Sequence, residues 1–81
     1  MLKIGVLGAG HLGKIHIKCI LQLDEYELIG FYDADATVSK NVAEEFNLKA
    51  FYSIQELIQE VDVVDIVTPT LSHFEFAKSS L

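Results

Sequence analysis

The chain has 81 residues, 51% of them apolar, with 12 acidic residues, six basic residues that are all lysine, and a net charge of −6. This length argues against a complete two-domain enzyme, and the apolar fraction argues against intrinsic disorder. A single cysteine excludes an intramolecular disulfide, no apolar run approaches the roughly 20 residues of a membrane span, and an acidic chain without arginine is unsuited to nucleic acid.

The first predicted elements are a strand and a helix joined by glycines. Leu2 to Leu7 is a short apolar run, typical of a strand that is buried on both faces. It begins at once, without the apolar segment and cleavage site of a signal peptide, so we expect a cytoplasmic protein. From His11 onward apolar residues recur at steps of three and four, which predicts a helix. Its expected inward face consists of Leu12, Ile15, His16, Cys19, Ile20 and Leu23.

Three further strands and two further helices follow in alternation. The expected strands are Glu27 to Asp33, a brief one near Ala50 to Tyr52, and Val61 to Thr68, which Pro69 ends. The second helix covers Thr37 to Phe46 and stops at Asn47, and a capping box of Ser53 and Glu56 opens the third, with Ile54, Leu57 and Ile58. A second capping box, Ser72 with Glu75, predicts a last helix that includes Phe74, Ala77 and Lys78.

This alternation predicts an α/β fold with a Rossmann-type parallel sheet in strand order 3-2-1-4, truncated before strand 5. The whole chain, residues 1–81, then forms one domain portion. The fourth strand would leave an uncovered edge between Val63 and Val67, and such an edge favours pairing with another chain. We therefore expect a homo-oligomer.

The turn between the first strand and helix carries the motif G-x-G-x-x-G in Gly8-Ala9-Gly10-His11-Leu12-Gly13. Gly8 permits a tight turn, Gly10 lets a pyrophosphate approach the backbone, and Gly13 lets the helix pack closely against the sheet. The amides of the first helical turn then provide an anion site without any lysine. The sequence therefore predicts a dinucleotide site, the alternative being another doubly wound sheet with an incidental glycine turn.

An acidic residue stands where a dinucleotide-binding fold needs one. Asp33 follows Gly13 by 20 residues, at the end of the second strand. A carboxylate there accepts hydrogen bonds from the ribose hydroxyls and repels a 2′-phosphate, for which the chain has no arginine. The sequence thus predicts NAD as cofactor, with NADP less suited.

Other polar residues have ordinary structural interpretations. We expect His16 to pack and bond a backbone group, Cys19 to be a small core residue, and Asp65 to be a buried, hydrogen-bonded acid. No ligand spacing predicts a metal site, and no nucleophile–base pair can be assembled.

Three motifs in order give the sequence a resemblance to the Gfo/Idh/MocA oxidoreductases. Gly8 to His16 resembles that family's G-x-G-x-x-G-x-x-H opening, Asp33-Ala34-Asp35 its acidic turn, and Val67 to His73 its T-P-x-x-x-H segment. The resemblance covers the whole chain but only the N-terminal part of the family's architecture. It implies an NAD(P)-dependent oxidoreductase acting on sugars, polyols or related metabolites, with a second domain that lines the substrate site and commonly mediates oligomers.

The resemblance also assigns roles to individual residues. It implies cofactor contacts by Gly8, Gly10, Gly13 and Asp33, by the backbone amides of His11 and Leu12, and by a loop beside the nicotinamide ribose consisting of Thr68, Pro69, Thr70 and His73. The family's catalytic lysine belongs to an E-K-P motif that this chain lacks, so we expect no catalytic residue within it. The alternative function is a non-catalytic NAD(H)-binding or redox-sensing module.

Overall fold

The computed structural model describes residues 2–67 and, for the backbone alone, residues 73–76. Within residues 2–67 strands and helices alternate as the sequence predicts, and most bounds agree within about two residues. The elements are β1 (Leu2–Leu7), α1 (His11–Leu21), β2 (Tyr26–Tyr32), α2 (Ala36–Phe46), β3 (Lys49–Ala50), α3 (Ile54–Glu60), β4 (Val63–Ile66) and β5 (His73–Phe76).

One sheet contains all of these strands, in the order β3-β2-β1-β4-β5. The pairs β3–β2, β2–β1 and β1–β4 are parallel, which confirms the predicted Rossmann-type order 3-2-1-4. The C-terminal ends of β1 and β4 lie side by side, with Leu7 opposite Ile66. The crevice where doubly wound sheets bind their ligands is therefore at the end of these two strands.

The predicted helix after Ser72 is wrong over the described residues. His73–Phe76 is instead a strand, β5, which pairs antiparallel with β4 so that Ile66 lies opposite His73 and Val63 opposite Phe76. The predicted open edge of β4 is wrong for the same reason, because β5 occupies it. An unpaired row of backbone N–H and C=O groups is costly to leave open, and the following segment satisfies it within the chain.

Two apolar clusters cover the two faces of the sheet. The cluster under α1 and α2 includes Ile17, Ile20 and Val42 with strand residues such as Val63. The cluster under α3 is formed by Phe51, Leu57, Val61 and Val64. Val63 and Val64 belong to opposite clusters because successive side chains of a strand alternate between faces. A strand that is apolar at every position but one, like β4, is thus buried on both sides.

The inward face of α1 differs from the one predicted. The buried residues of the helix are Gly13, Ile17 and Ile20, spaced four and three apart, whereas Leu12, Ile15 and Leu23 are each more than two-fifths exposed. Cys19 is also exposed and not a core residue. The helix is therefore rotated about its axis relative to the expectation, and part of its apolar surface faces outward.

Ser53 and Asn47 have the predicted places at helix ends, and Asp35 caps a helix for which the sequence analysis predicted no cap. Ser53 Oγ accepts a hydrogen bond from the Glu56 amide at 3.1 Å, which is the half of the predicted capping box in which serine caps the helix. Asn47 ends α2 in the left-handed conformation, with φ of 56°. At the other end of α2, the Asp35 carboxylate accepts from the amides of Thr37 and Val38. These local bonds start α2 directly after β2. The candidate site begins in the same region.

Candidate functional site

The site begins at a sharp turn where β1 ends. Gly8 has φ of +95°, a region that favours glycine, and its amide donates to the carbonyl oxygen of Tyr32 at 2.8 Å. A Cβ at Gly8 would also lie 3.1 Å from the carbonyl oxygen of Val67. The tight turn that the sequence predicts at Gly8 is thus present, held between the ends of β2 and β4.

Gly13 allows the first turn of α1 to lie against that glycine turn. A Cβ at Gly13 would stand 2.0 Å from the carbonyl oxygen of Gly8, a separation that no side chain can adopt. The close contact is therefore with the loop that leaves β1, whereas the sequence analysis expected it with the sheet itself. It brings the N-terminus of α1 directly above the end of β1.

Gly10 differs from its two neighbours in being open. It caps α1 in an extended conformation, and a Cβ there would meet no atom within 4 Å. Gly10, His11 and Leu12 are all exposed. The first amides of a helix have no partner within it, and the helix dipole adds positive potential at this end. This turn therefore offers amide donors to an anion, and the open space at Gly10 gives the anion access to them.

Asp33 connects the glycine turn to the start of α2. One carboxylate oxygen, Oδ2, accepts from the amide of Ala9 at 2.7 Å, and the other, Oδ1, accepts from the amide of Asp35 at 2.8 Å. The side chain is only half-buried, and each oxygen has a second lone pair for a further donor. The acid predicted to bind ribose therefore also holds the loop that is predicted to bind phosphate.

Two open grooves flank these residues. The larger, about 440 Å³, is lined by Asp33 with Tyr32, Phe51, Tyr52 and further residues of α2 and β3. The smaller, about 220 Å³, lies between α1 and α2 beside Ala9 and Gly10. The larger volume is within the range of small-molecule sites, with apolar walls and one carboxylate. The structure thus leaves room for a nucleoside beside Asp33.

Part of the predicted site lies outside the described residues. Thr68, Pro69 and Thr70 are not described, so the loop predicted to lie beside the nicotinamide ribose remains a prediction from sequence. His73 is described as backbone in β5, opposite Ile66, and not at the start of a helix. Its predicted place beside the cofactor therefore rests on the family resemblance and not on a helix start.

One interaction was missed by the sequence analysis. His16 Nδ1 lies 2.6 Å from Asp65 Oδ2, which joins α1 to β4 by a side-chain bond rather than the predicted bond from His16 to a backbone group. Asp65 is 1% exposed, as expected of a buried acid. A lone carboxylate inside an apolar strand is the signal that calls for such a partner.

The described part of the chain holds neither a metal-binding cluster nor a helix that could span a membrane. Residues 2–67 bring together no group of three or more His, Cys, Asp or Glu side chains that could hold a metal ion. The helices described are also too short or too polar to cross a membrane.

Comparison with known families and proteins places this geometry in context. Residues 2–81 match the family described as "Oxidoreductase family, NAD-binding Rossmann fold". UDP-N-acetylglucosamine 3-dehydrogenase of Acidithiobacillus ferrooxidans is 39% identical over 80 residues, which are 99% of this chain and 25% of that protein. Its solved structure superposes with a TM-score of 0.75 over 85% of this chain and 22% of the other.

Two more relatives extend the comparison. Glucose-6-phosphate 3-dehydrogenase of Bacillus subtilis is 30% identical over 81 residues, all of this chain and 23% of that protein. The structure of scyllo-inositol dehydrogenase from Lactobacillus casei has a TM-score of 0.72 and 27% identity, over 85% of this chain and 22% of its own. The chain thus spans about a quarter of the length of the curated relatives it matches.

The contrast between Gly13 and Gly10 gives a first test. We expect Gly13→Ala to lower the free energy of unfolding by about 2 kcal/mol or more, because its Cβ would collide with the Gly8 carbonyl. Gly10→Ala should cost less than about 1 kcal/mol, because it meets open space and alters only a weak helix cap. Urea denaturation followed by circular dichroism measures both. Equal losses in the two variants would contradict the assigned contact.

Proposed function

This chain belongs to the oxidoreductase family with an NAD-binding Rossmann fold, and on that premise we propose that it binds NAD across the ends of β1, β2 and β4. The proposal treats residues 1–81 as the N-terminal portion of an NAD-binding domain. The observation that carries it is that exposed helix amides lie next to the Asp33 carboxylate. The Asp33 carboxylate accepts a hydrogen bond from the Ala9 amide at 2.7 Å. An anion site and a ribose acceptor then lie in one place.

The residues present fit a dinucleotide. The amides from Gly10 to Gly13 would bind the pyrophosphate, which approaches through the open space above Gly10. Asp33 would accept from the adenosine ribose hydroxyls on its free lone pairs while keeping its two backbone bonds. The residues Thr68, Pro69, Thr70 and His73 would lie along the nicotinamide ribose, a role that rests on the family resemblance alone.

The bound nicotinamide would supply the carbon that accepts or donates a hydride. The described residues would bind and orient it, through the amides at the glycine turn and the Asp33 carboxylate. Orientation matters because hydride transfer needs the reacting carbons held at a defined distance and angle. The chain's contribution to catalysis would therefore be positional.

NAD is proposed over NADP on electrostatic grounds. Asp33 carries a negative charge where a 2′-phosphate would have to lie, and the chain has no arginine to offset it. Lys40 lines the groove beside Asp33, but a lysine lacks the bidentate fork with which arginine binds a phosphate. The balance of charge in the groove favours free ribose hydroxyls.

The substrate class is proposed from the relatives. The names of the two curated relatives describe dehydrogenases of a nucleotide sugar and of a sugar phosphate. We propose that the longer protein to which such a domain belongs oxidises a sugar, polyol or related metabolite in the cytoplasm. The homo-oligomer is proposed to form through a second domain, because β5 covers the edge of β4 that the sequence analysis assigned to self-association.

Gly10→Ala tests cofactor binding apart from folding. We expect NADH affinity to fall about tenfold or more, because the added methyl group stands where the pyrophosphate would approach the backbone. Titration followed by the fluorescence of NADH measures it. Cys19→Ser, at an exposed position on the same helix, should leave the affinity unchanged. Wild-type affinity in the Gly10→Ala variant would contradict the proposed site.

Cofactor preference depends on the charge of Asp33. We expect the wild-type chain to bind NADH at least about tenfold more tightly than NADPH, and Asp33→Asn to reduce that ratio severalfold. Asparagine keeps one acceptor oxygen, so the variant loses one of the two bonds, from Ala9 or from Asp35, and this loss weakens the binding of both cofactors. The ratio therefore isolates the repulsion of the 2′-phosphate. Asp35→Asn is the matched control, since it removes the same charge two residues away and keeps a good helix cap. An unchanged ratio in Asp33→Asn, or an equal shift in the control, would overturn the preference.

The chain by itself should not turn over substrate. It contains no Glu-Lys-Pro sequence, so we expect no reduction of NAD by myo-inositol above the enzyme-free rate, followed at the absorbance of NADH. Turnover above that rate would contradict the assignment of catalysis to a longer chain. A non-catalytic sensor would also be inactive, so the coding sequence decides between the two: an E-K-P motif in the same frame downstream supports the dehydrogenase.

A further inference from the structure

A buried carboxylate that bonds a histidine side chain lies behind the glycine turn. Asp65 Oδ2 is 2.6 Å from His16 Nδ1, and the Asp65 side chain is 1% exposed. Its other oxygen, Oδ1, has no hydrogen-bond partner among the residues that the structure describes. A buried carboxylate is costly unless it is hydrogen-bonded, so the bond to His16 is what makes Asp65 tolerable inside β4.

Among the described residues the bond adds a polar contact between two elements that otherwise meet in the apolar cluster through Val63. The main contacts of α1 with the sheet are to β1 and β2, and Ile17 and Ile20 pack into the cluster beneath it. Apolar packing is non-directional, so it sets the distance between α1 and β4 less sharply than a hydrogen bond does. The His16–Asp65 bond is short and directional, and it reaches from α1 across β1 to β4.

Both ends of this bond lead to the proposed cofactor site. His16 lies on α1 just beyond the first turn, whose amides are proposed to bind the pyrophosphate. Asp65 is two residues before Val67, whose amide donates to the Leu7 carbonyl at 3.0 Å at the end of β4. The next residues along the chain are Thr68 to Thr70, proposed to lie beside the nicotinamide ribose. The adenosine side is held separately, by the bonds from Asp33 to Ala9 and Asp35.

The pair itself is set apart from the proposed cofactor contacts. His16 and Asp65 line a separate depression of about 200 Å³, with Ile15, Cys19 and Leu23. The two grooves at the glycine turn and Asp33 are lined by other residues. A role for the pair in cofactor binding must therefore be indirect.

We propose that His16 and Asp65 are positioning residues that set the spacing between the first turn of α1 and the end of β4, and thereby the affinity for the nicotinamide half of the cofactor. The inference rests on the proposed function. It assigns a selective effect to the pair: binding of the nicotinamide half of the cofactor depends on the His16–Asp65 bond, and binding of the adenosine half does not.

The test removes the bond without leaving a buried charge. In the double variant His16→Ala with Asp65→Val, both polar groups are absent, and replacing a buried pair by apolar groups is often neutral for stability. We expect NADH affinity to fall about fivefold or more, because the end of β4 would no longer be held at a fixed distance from α1. ADP affinity should change less than twofold, because ADP contacts only the adenosine side and the first-turn amides, which the Gly13 contact with Gly8 and the bond from Asp33 to Ala9 hold without the pair. Isothermal titration calorimetry with NADH and with ADP measures both.

Single variants keep the test decisive if the double variant does not fold. His16→Asn places an amide near the position of Nδ1 and should retain NADH affinity within about threefold, whereas His16→Phe fills the space without a donor and should lose it selectively. Cys19→Ser, in the same depression, is the control and should bind both ligands like the wild type.

The outcomes separate this inference from the proposed function. If the wild type binds NADH and the double variant binds it equally tightly, the positioning role is overturned and the proposed function stands. The same holds if the double variant loses affinity for NADH and for ADP to the same extent. Equal behaviour of His16→Asn and His16→Phe overturns it as well. A wild-type chain that binds neither NADH nor ADP overturns the proposed function, and the inference with it.

Discussion

The close approach of α1 to the end of β1 is the constraint on which the rest of the structure depends. A Cβ at Gly13 would stand 2.0 Å from the Gly8 carbonyl oxygen, so the contact exists only because Gly13 carries no side chain. It places the first-turn amides at the crevice between β1 and β4. It also turns the line of Gly13, Ile17 and Ile20 toward the sheet, and this rotation brings His16 within reach of Asp65.

Asp33 has a structural role besides the ribose binding that the sequence predicts. Its carboxylate bonds the amides of Ala9 and Asp35, so it joins the glycine turn to the N-terminus of α2. Asp35 in turn caps that helix. One acid therefore holds the loop from the side while keeping lone pairs for a ligand. Preorganisation of this kind lowers the cost of binding, because the loop is ordered before a cofactor arrives.

Most of the fold could be predicted because its signals are local. The glycine spacing, the capping residues and the change from apolar runs to helical periodicity identified the elements of residues 2–67 and the order 3-2-1-4. Two errors had a tertiary origin. The rotation of α1 follows from the Gly13 contact, which outweighs the apolar stripe of Leu12, Ile15 and Leu23. His73–Phe76 forms a strand because the edge of β4 offers hydrogen bonds that local capping signals do not register.

The sequence by itself determined the fold class, the glycine turn and the identity of the acid at the end of β2. Each of these follows from residues that are close in sequence or at a characteristic spacing. Only the tertiary structure decided which atoms those residues bond: Asp33 to the Ala9 amide, 24 positions away, and His16 to Asp65, 49 positions away. The physical reason is that a buried polar group must find its partner in space, and the sheet, not the local sequence, sets which elements lie next to each other.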